Sequence, residues 1–138
     1  MPRDVPSVRI GTCGWSYKDW VGPFYPKGLT PADYLPYYAE RFSIVEVDST
    51  FYRSPSKSMV QGWRDKTPEG FSFSLKVPQT ITHEKVLVDC SGEVEEFASA
   101  ARLLGDKLLC WTLQFGYFNR QAFASGAEFL ERLGSRLA

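Results

Sequence analysis

The sequence predicts an α/β fold of four parallel β/α units, either an open four-stranded sheet or the first half of a (β/α)8 barrel. Three observations predict it. Short apolar strand segments alternate with helical segments four times, strand first, the pattern of β/α units around a parallel sheet. Strand midpoints near Ile10, Glu46, Ser74 and Trp111 are 36, 28 and 37 residues apart. A complete barrel of roughly 250 residues uses about 31 per unit, so four units fill this chain. Finally, every strand has one apolar face and one small or polar face, whereas a doubly wound sheet wants apolar residues on both.

The first strand is Val8 to Thr12, with Val8 and Ile10 opposing Arg9, Gly11 and Cys13. Thr30 followed by Pro31 reads as an N-cap with proline at the first helical position, and Asp33 suits the first turn of a helix running to about Phe42. The second strand is Ile44 to Asp48, with Val45 and Val47 on one face and Glu46 and Asp48 on the other. The next helix starts near Ser56, carries Met59, Val60 and Trp63 on one face and stops before Pro68. The third strand, Phe71 to Val77, sets Phe71, Phe73, Leu75 and Val77 against Ser72, Ser74 and Lys76. A third helix runs from about Glu93 to Leu104 and is closed by Gly105. The fourth strand, Leu108 to Phe115, sets Leu109, Trp111, Leu113 and Phe115 against Cys110, Thr112 and Gln114. Ser125-Gly-Ala-Glu128 then fits a capping box opening the last helix, with Gly134 near its end.

Composition excludes several classes. With 43% hydrophobic and 23% charged residues the chain can bury a core and is not a disordered tail. Sixteen basic and 16 acidic residues give zero formal net charge, which argues against a phosphate-driven nucleic-acid binder. The longest apolar run, Leu108 to Trp111, is far too short for a membrane span. Met1 to Asp4 begins no apolar stretch, so no secretory signal is expected. Cys13, Cys90 and Cys110 form no CxxC pair, and His83 is the sole histidine. A disulfide scaffold and a Cys/His zinc site are both disfavoured, and a reducing cytosol is the expected compartment.

In a barrel, functional groups gather at the C-terminal ends of strands and in the loops beyond. Those positions hold Glu46, Asp48, Lys76 and Gln114, with Cys13 to Tyr17 after the first strand. Two carboxylates and an amine on one rim can polarise an oxygen or pass a proton. Glu46 and Asp48 read as an acid/base pair or as structural ion-pair partners of Lys76 or Arg9. Lys76 reads as a contact to a phosphate or carboxylate, or as the neutraliser of Glu46; a Schiff-base role has no support. His83 is a catalytic candidate in the loop after strand three, or a hydrogen-bonded loop residue. Ser49, Thr50 and Tyr52 read as ligand contacts or as satisfying loop backbone. Trp15, Tyr17 and Trp20 make an aromatic wall for a sugar or base, or a plug at the barrel end, while Phe24 and Tyr25 read as packing. Gln114 offers an amide over the rim. Cys13 has no base placed beside it, so a nucleophile role is weak. No phosphate loop or dinucleotide fingerprint is present. No metal cluster is evident, although Glu46, Asp48 and His83 are a set the fold can assemble.

These residues also carry a resemblance. The run GTCGWSYKDWVGPFYPKGLTPADYLPYYAERFSIVEVDSTFYRSPS, Gly11 to Ser56, resembles the opening of the domain-of-unknown-function-72 family, also called YecE-like. FSFSLKVPQTITH (Phe71 to His83) and LQF (Leu113 to Phe115) continue it over almost the whole chain. The resemblance implies a TIM-like barrel of about twice this length, hence a half barrel over residues 1–138 as one incomplete domain, and no settled activity. Relatives mostly have serine at Cys13 and a proline-rich segment where this chain has Gly116 to Asn119. Strands five to eight of the family pattern are missing.

Three functional expectations follow. The first is a small-molecule enzyme or binder with a small polar or anionic ligand at the rim, its cofactor unnamed by the sequence. The second is a polymer or single-stranded nucleic-acid module using the Trp15 to Tyr25 aromatics, which the zero charge opposes. The third is a fragment without independent activity. Gly134 to Ala138 closes the last helix without a terminal packing element, and a chain of 138 residues is expected to self-pair as a homodimer to close its open edges.

Overall fold

A computed structural model describes residues 7–138. The N-terminal segment considered above for a secretory signal lies outside the described residues. Four strands form one sheet in the order β1-β2-β3-β4, every neighbouring pair parallel. They are β1 Thr12–Cys13, β2 Ile44–Val47, β3 Ser72–Lys76 and β4 Leu108–Thr112. The helices α1 Pro31–Ala39, α2 Lys57–Asp65, α3 Ser91–Ala101 and α4 Gly126–Leu137 alternate with them. This is an α/β fold of four parallel units, the arrangement of half a TIM-like barrel. No described helix is long and apolar enough to cross a membrane.

The first strand is displaced from its expected place. Pairing with β2 is confined to Thr12 and Cys13, opposite Val45 and Glu46. Val8 and Ile10, expected under helices, are 83% and 72% exposed. Arg9 anchors this stretch instead, donating to the Ser43 and Gly70 carbonyls and to the Ser43 and Ser72 hydroxyls. At Gly11 the chain passes so close to β2 that an added Cβ would collide with the Ile44 carbonyl oxygen.

The helices begin where capping chemistry predicts. Ser56 accepts from the Met59 N–H at 3.2 Å, and Ser125 accepts from the Glu128 N–H at the same distance. Pro31 opens α1 at its first turn. Pro36 inside α1 has no N–H for the Ala32 carbonyl, and the Lys66 ammonium donates to that oxygen at 3.0 Å. α1 ends at Ala39 rather than Phe42, and α3 gives way to a 3-10 stretch, Arg102–Lys107, in which Gly105 takes a positive φ of 58°.

The core lies between the helices and one face of the sheet. Val45, Val47, Phe73 and Leu75 meet Val60 and Trp63 of α2 and Phe97 and Leu104 from the α3 region. Met59, expected beside Val60, is instead 47% exposed. In β4 the expected alternation fails at its start. Phe73 pairs with Leu108 but Ser74 pairs with Cys110, so Leu109 is an extra residue, a β-bulge. Leu108 packs on the core while Leu109 is 55% exposed on the other face, and the expected parity resumes at Trp111. The strand ends at Thr112, three residues before Phe115.

Candidate functional site

The face turned from the helices carries a row set by strand register: Cys13 opposite Glu46, Glu46 opposite Ser74, Ser74 opposite Cys110. The Cys110 thiol donates to the Ser74 hydroxyl at 3.3 Å, and Ser74 and Thr112 share a hydrogen bond at 3.1 Å. A depression of about 360 Å³ lies over this row, bounded below by Arg9.

Above the row lies the C-terminal rim. Gly14 donates its N–H to the Glu46 carbonyl at 2.7 Å and then turns the chain away at φ 79°. A side chain there would be strained and would also meet the Tyr17 hydroxyl at 2.6 Å. That hydroxyl donates back to the Cys13 carbonyl. Trp15 lies half-buried, edge-on to Trp63 with ring centroids 5.8 Å apart. Trp15, Tyr17, Asp48, Ser49 and Tyr52 enclose a second depression of about 250 Å³. Trp20 is not on its wall. It packs with Tyr17, Phe24 and Tyr25 at 4.8 to 6.0 Å, and Tyr25, fully buried, stacks on Tyr34 at 4.2 Å. Trp20 is therefore a packing residue rather than part of a ligand wall. Burial, then the neighbouring Tyr38 and Tyr34, pushes the Tyr25 phenol up to about 12.

After β2 the chain turns through a 3-10 segment, Ser49–Phe51. Thr50, expected as a ligand contact, is buried, and its hydroxyl donates to the Val47 carbonyl at 3.0 Å and the Lys76 carbonyl at 2.6 Å. It fastens the β2 loop to the end of β3, its hydroxyl committed to backbone carbonyls. Ser49 and Tyr52 stand exposed on either side.

Ion pairs among the described residues join Glu40 to Arg41, Lys85 to Glu93, Glu95 to Arg102 and Glu128 to Arg132. Lys76 is in none of them, so the expected pairing with Glu46 is absent. Its ammonium instead lies 4.4 Å from the centre of the Phe51 ring. Arg9, the other expected partner for Glu46, is committed to Ser43, Gly70 and Ser72. Glu46 and Asp48 still act electrostatically. Packing on one side of the Cys13 thiol, then the charges of Asp48 and Glu46, raise its pKa, with Lys76 opposing. Loss of hydration, then Asp48, raises Tyr17 as well. These charges disfavour the Cys13 thiolate, the form that acts as a nucleophile.

His83 sits in a π-helical turn, Thr80–Glu84, exposed, with Nδ1 2.8 Å from the Thr82 hydroxyl. Its ring meets Phe51 edge-on at 5.1 Å. Phe51 thus touches both Lys76 and His83 and joins the two loops. Sequence reasoning named Thr50 and Tyr52 on either side of it and passed over it as one more apolar residue. It also missed Arg53 and Glu96, which face a groove of about 440 Å³ behind the Ser49 to Ser56 loop. Just beyond His83, Val86, Leu87 and Asp89 all hold positive φ, and Arg132 and Arg136 donate to the Val86 and Leu87 carbonyls. Gln114 lies past the end of β4, exposed and apart from these depressions. Among the described residues no three His, Cys, Asp or Glu side chains converge as metal ligands, so Glu46, Asp48 and His83 are not assembled into a metal site.

Comparison with known proteins agrees with this architecture. The UPF0759 protein YecE of Escherichia coli K12 is 34% identical over 107 residues, 78% of this chain and 37% of that protein. The UPF0759 protein YunF of Bacillus subtilis 168 is 31% identical over 91 residues, 65% of this chain and 31% of that one. The chain thus spans little more than a third of the curated relatives it matches. A crystal structure of a DUF72 family protein from Enterococcus faecalis V583 superposes with a TM-score of 0.69 at 24% identity, covering 93% of this chain and 46% of that one. A second structure of the same protein gives 0.57 at 26% identity, over 74% of this chain and 43% of that one. The family model described as protein of unknown function DUF72 matches residues 9–138. With that match spanning all but the first few residues, and the four parallel units shared with a solved member, the chain belongs to the DUF72 family.

Proposed function

We propose that the chain supplies part of a rim site for a small polyhydroxylated molecule bearing an anionic group, such as a sugar phosphate or sugar acid. The observation that carries this reading is Lys76, an ammonium at the C-terminal end of β3 with an aromatic ring beneath it and no carboxylate in ion-pair reach among the described residues. Burial of lysine normally calls for a charge partner, and Lys76 is part-buried without one, so a ligand anion is the fitting occupant. The remaining groups suit the rest of such a molecule. Asp48 and Ser49 accept from or donate to hydroxyls, and Trp15 and Tyr52 offer flat apolar surface beside them. If chemistry occurs there, Asp48 and Glu46 are the groups to move a proton and Lys76 the one to polarise an oxygen, while His83, separated from them by the Phe51 ring, has among the described residues no hydrogen-bonded path to take part. Trp20, Phe24 and Tyr25 pack inside the fold, which favours a small molecule over a polymer lying along the aromatic run. Three free cysteines suit a reducing cytosol.

The test is thermal shift with glucose 6-phosphate, glucose and inorganic phosphate as probes. Glucose 6-phosphate is expected to raise the Tm of the parent chain. Lys76→Ala should remove that rise, and Asp48→Asn should reduce it while leaving any response to phosphate alone. An equal rise in the parent and both variants, or none in the parent, overturns the reading.

A further inference from the structure

We infer that the groove behind the Ser49 to Ser56 loop is a second binding site, one that takes a free α-amino acid with an apolar side chain. The groove holds about 440 Å³, the size of a small-molecule cleft. All the residues lining it fall within 49–96. They belong to the second and third units, whose strands β2 and β3 are the two inner strands of the sheet. Ser49 borders both this groove and the rim depression, while Asp48 and Tyr52 line only the latter. The site is independent of the anion proposed at Lys76.

Two opposite charges line the groove. Arg53 comes from the loop leading into α2, and Glu96 comes from α3. Among the described residues neither is in an ion pair, with the other or with any third group. Arg53 offers a planar fork that holds a carboxylate through two N–H donors. Glu96 only accepts, and suits an ammonium. An anion without a positive group would be repelled by Glu96, and a cation without a negative group by Arg53. A zwitterion satisfies both, with the Ser49 and Ser54 hydroxyls beside it.

The rest of the lining is apolar. Met59 and Trp63 lie one turn apart on the same face of α2. Trp63 is buried, edge-on to Trp15 and stacked on Phe73, so it is a fixed surface. Met59 belongs by sequence to the packed face of α2, yet it is 47% exposed and lines the groove. An apolar side chain laid against Met59 and Trp63 removes that surface from water. Two opposite charges on one carbon with an apolar side chain attached are the parts of a free amino acid such as leucine.

The test is isothermal titration of the 138-residue chain with L-leucine, N-acetyl-L-leucine, which lacks the ammonium, and L-leucinamide, which lacks the carboxylate. Leucine is expected to bind one to one and more tightly than either derivative. Arg53→Gln should weaken leucine roughly tenfold and leave leucinamide unchanged, and Glu96→Gln should weaken leucine by a similar factor and leave N-acetyl-leucine unchanged. Both side chains are exposed, so the far-UV circular dichroism of each variant should match the parent. No binding of leucine by the parent, equal affinity for all three compounds, or an unchanged leucine affinity in either variant overturns the inference. Leucine binding lost in Lys76→Ala but kept in Arg53→Gln and Glu96→Gln would move the amino acid to the rim and overturn it equally.

Discussion

Thr50 and Cys13 show how neighbours decide what a residue can do. Thr50 follows the carboxylate-bearing strand in a run of hydroxyl and aromatic residues, and its sequence context resembles that of Ser49. One residue of turn separates them: Ser49 faces solvent and Thr50 faces two backbone carbonyls. Thr50→Val removes the donor and leaves both oxygens buried, a loss of about 1–3 kcal/mol. Urea denaturation should show a lower midpoint with an unchanged slope, and an unchanged midpoint would contradict the fastening role. Cys13 makes a different prediction. Partial burial and the charges of Asp48 and Glu46 raise its pKa, so the thiolate appears only above the ordinary thiol range. In a Cys110→Ser background, with Cys90 buried, iodoacetamide labelling at pH 8 reports Cys13. Asp48→Asn should lower the pKa and speed labelling several-fold, and an equal rate in both proteins would remove Asp48 as a cause.

At the scale of elements, α4 is held by chemistry that the sequence displays openly. Ser125 caps it, and Glu128 accepts from the Ala124 N–H at 2.6 Å while also pairing with Arg132. The Ala124 backbone bond first, then Arg132, holds the Glu128 carboxyl below its usual range. A folded-state pKa below the unfolded one stabilises above the ordinary carboxylate range, and the stabilisation is lost as pH falls through the lowered value. Stability between neutral and acid pH should therefore fall less steeply in Glu128→Gln than in the parent, as read by urea midpoints at pH 7, 5 and 3.5. Identical profiles would assign no linkage to this pair. The same helix was legible to its capping residues, and so were α2 and the three strands β2 to β4. β1 was not. Val8 to Thr12 has strand alternation, yet only its last residue pairs, while Arg9 ties the preceding segment to Ser43 and Gly70. The bulge at Leu109 was equally hidden, since it is a register shift between two strands and leaves no mark on either alone.

At the scale of the molecule, the sheet is covered on one face only. The other face carries Cys13, Glu46, Ser74 and Cys110 in one row, polar groups suited to a barrel interior or to water. This asymmetry orders the function, because the rim groups lie on the edge of that uncovered face, where Lys76→Ala and Asp48→Asn act.

The amino-acid sequence by itself determined the class of fold, the parallel β/α order, most helix starts and which strand residues turn from the helices. These follow from periodicity, capping and proline chemistry, which act within a few residues of one another. It also placed Glu46, Asp48 and Lys76 at one rim. Only the tertiary structure decided what they do there. It set Lys76 over Phe51 instead of against Glu46, buried Thr50, packed Trp20 inward and brought the His83 ring perpendicular to the Phe51 ring. Each of those outcomes depends on distances between segments 25 or more residues apart or on the burial of one side chain by another, and local pattern carries neither.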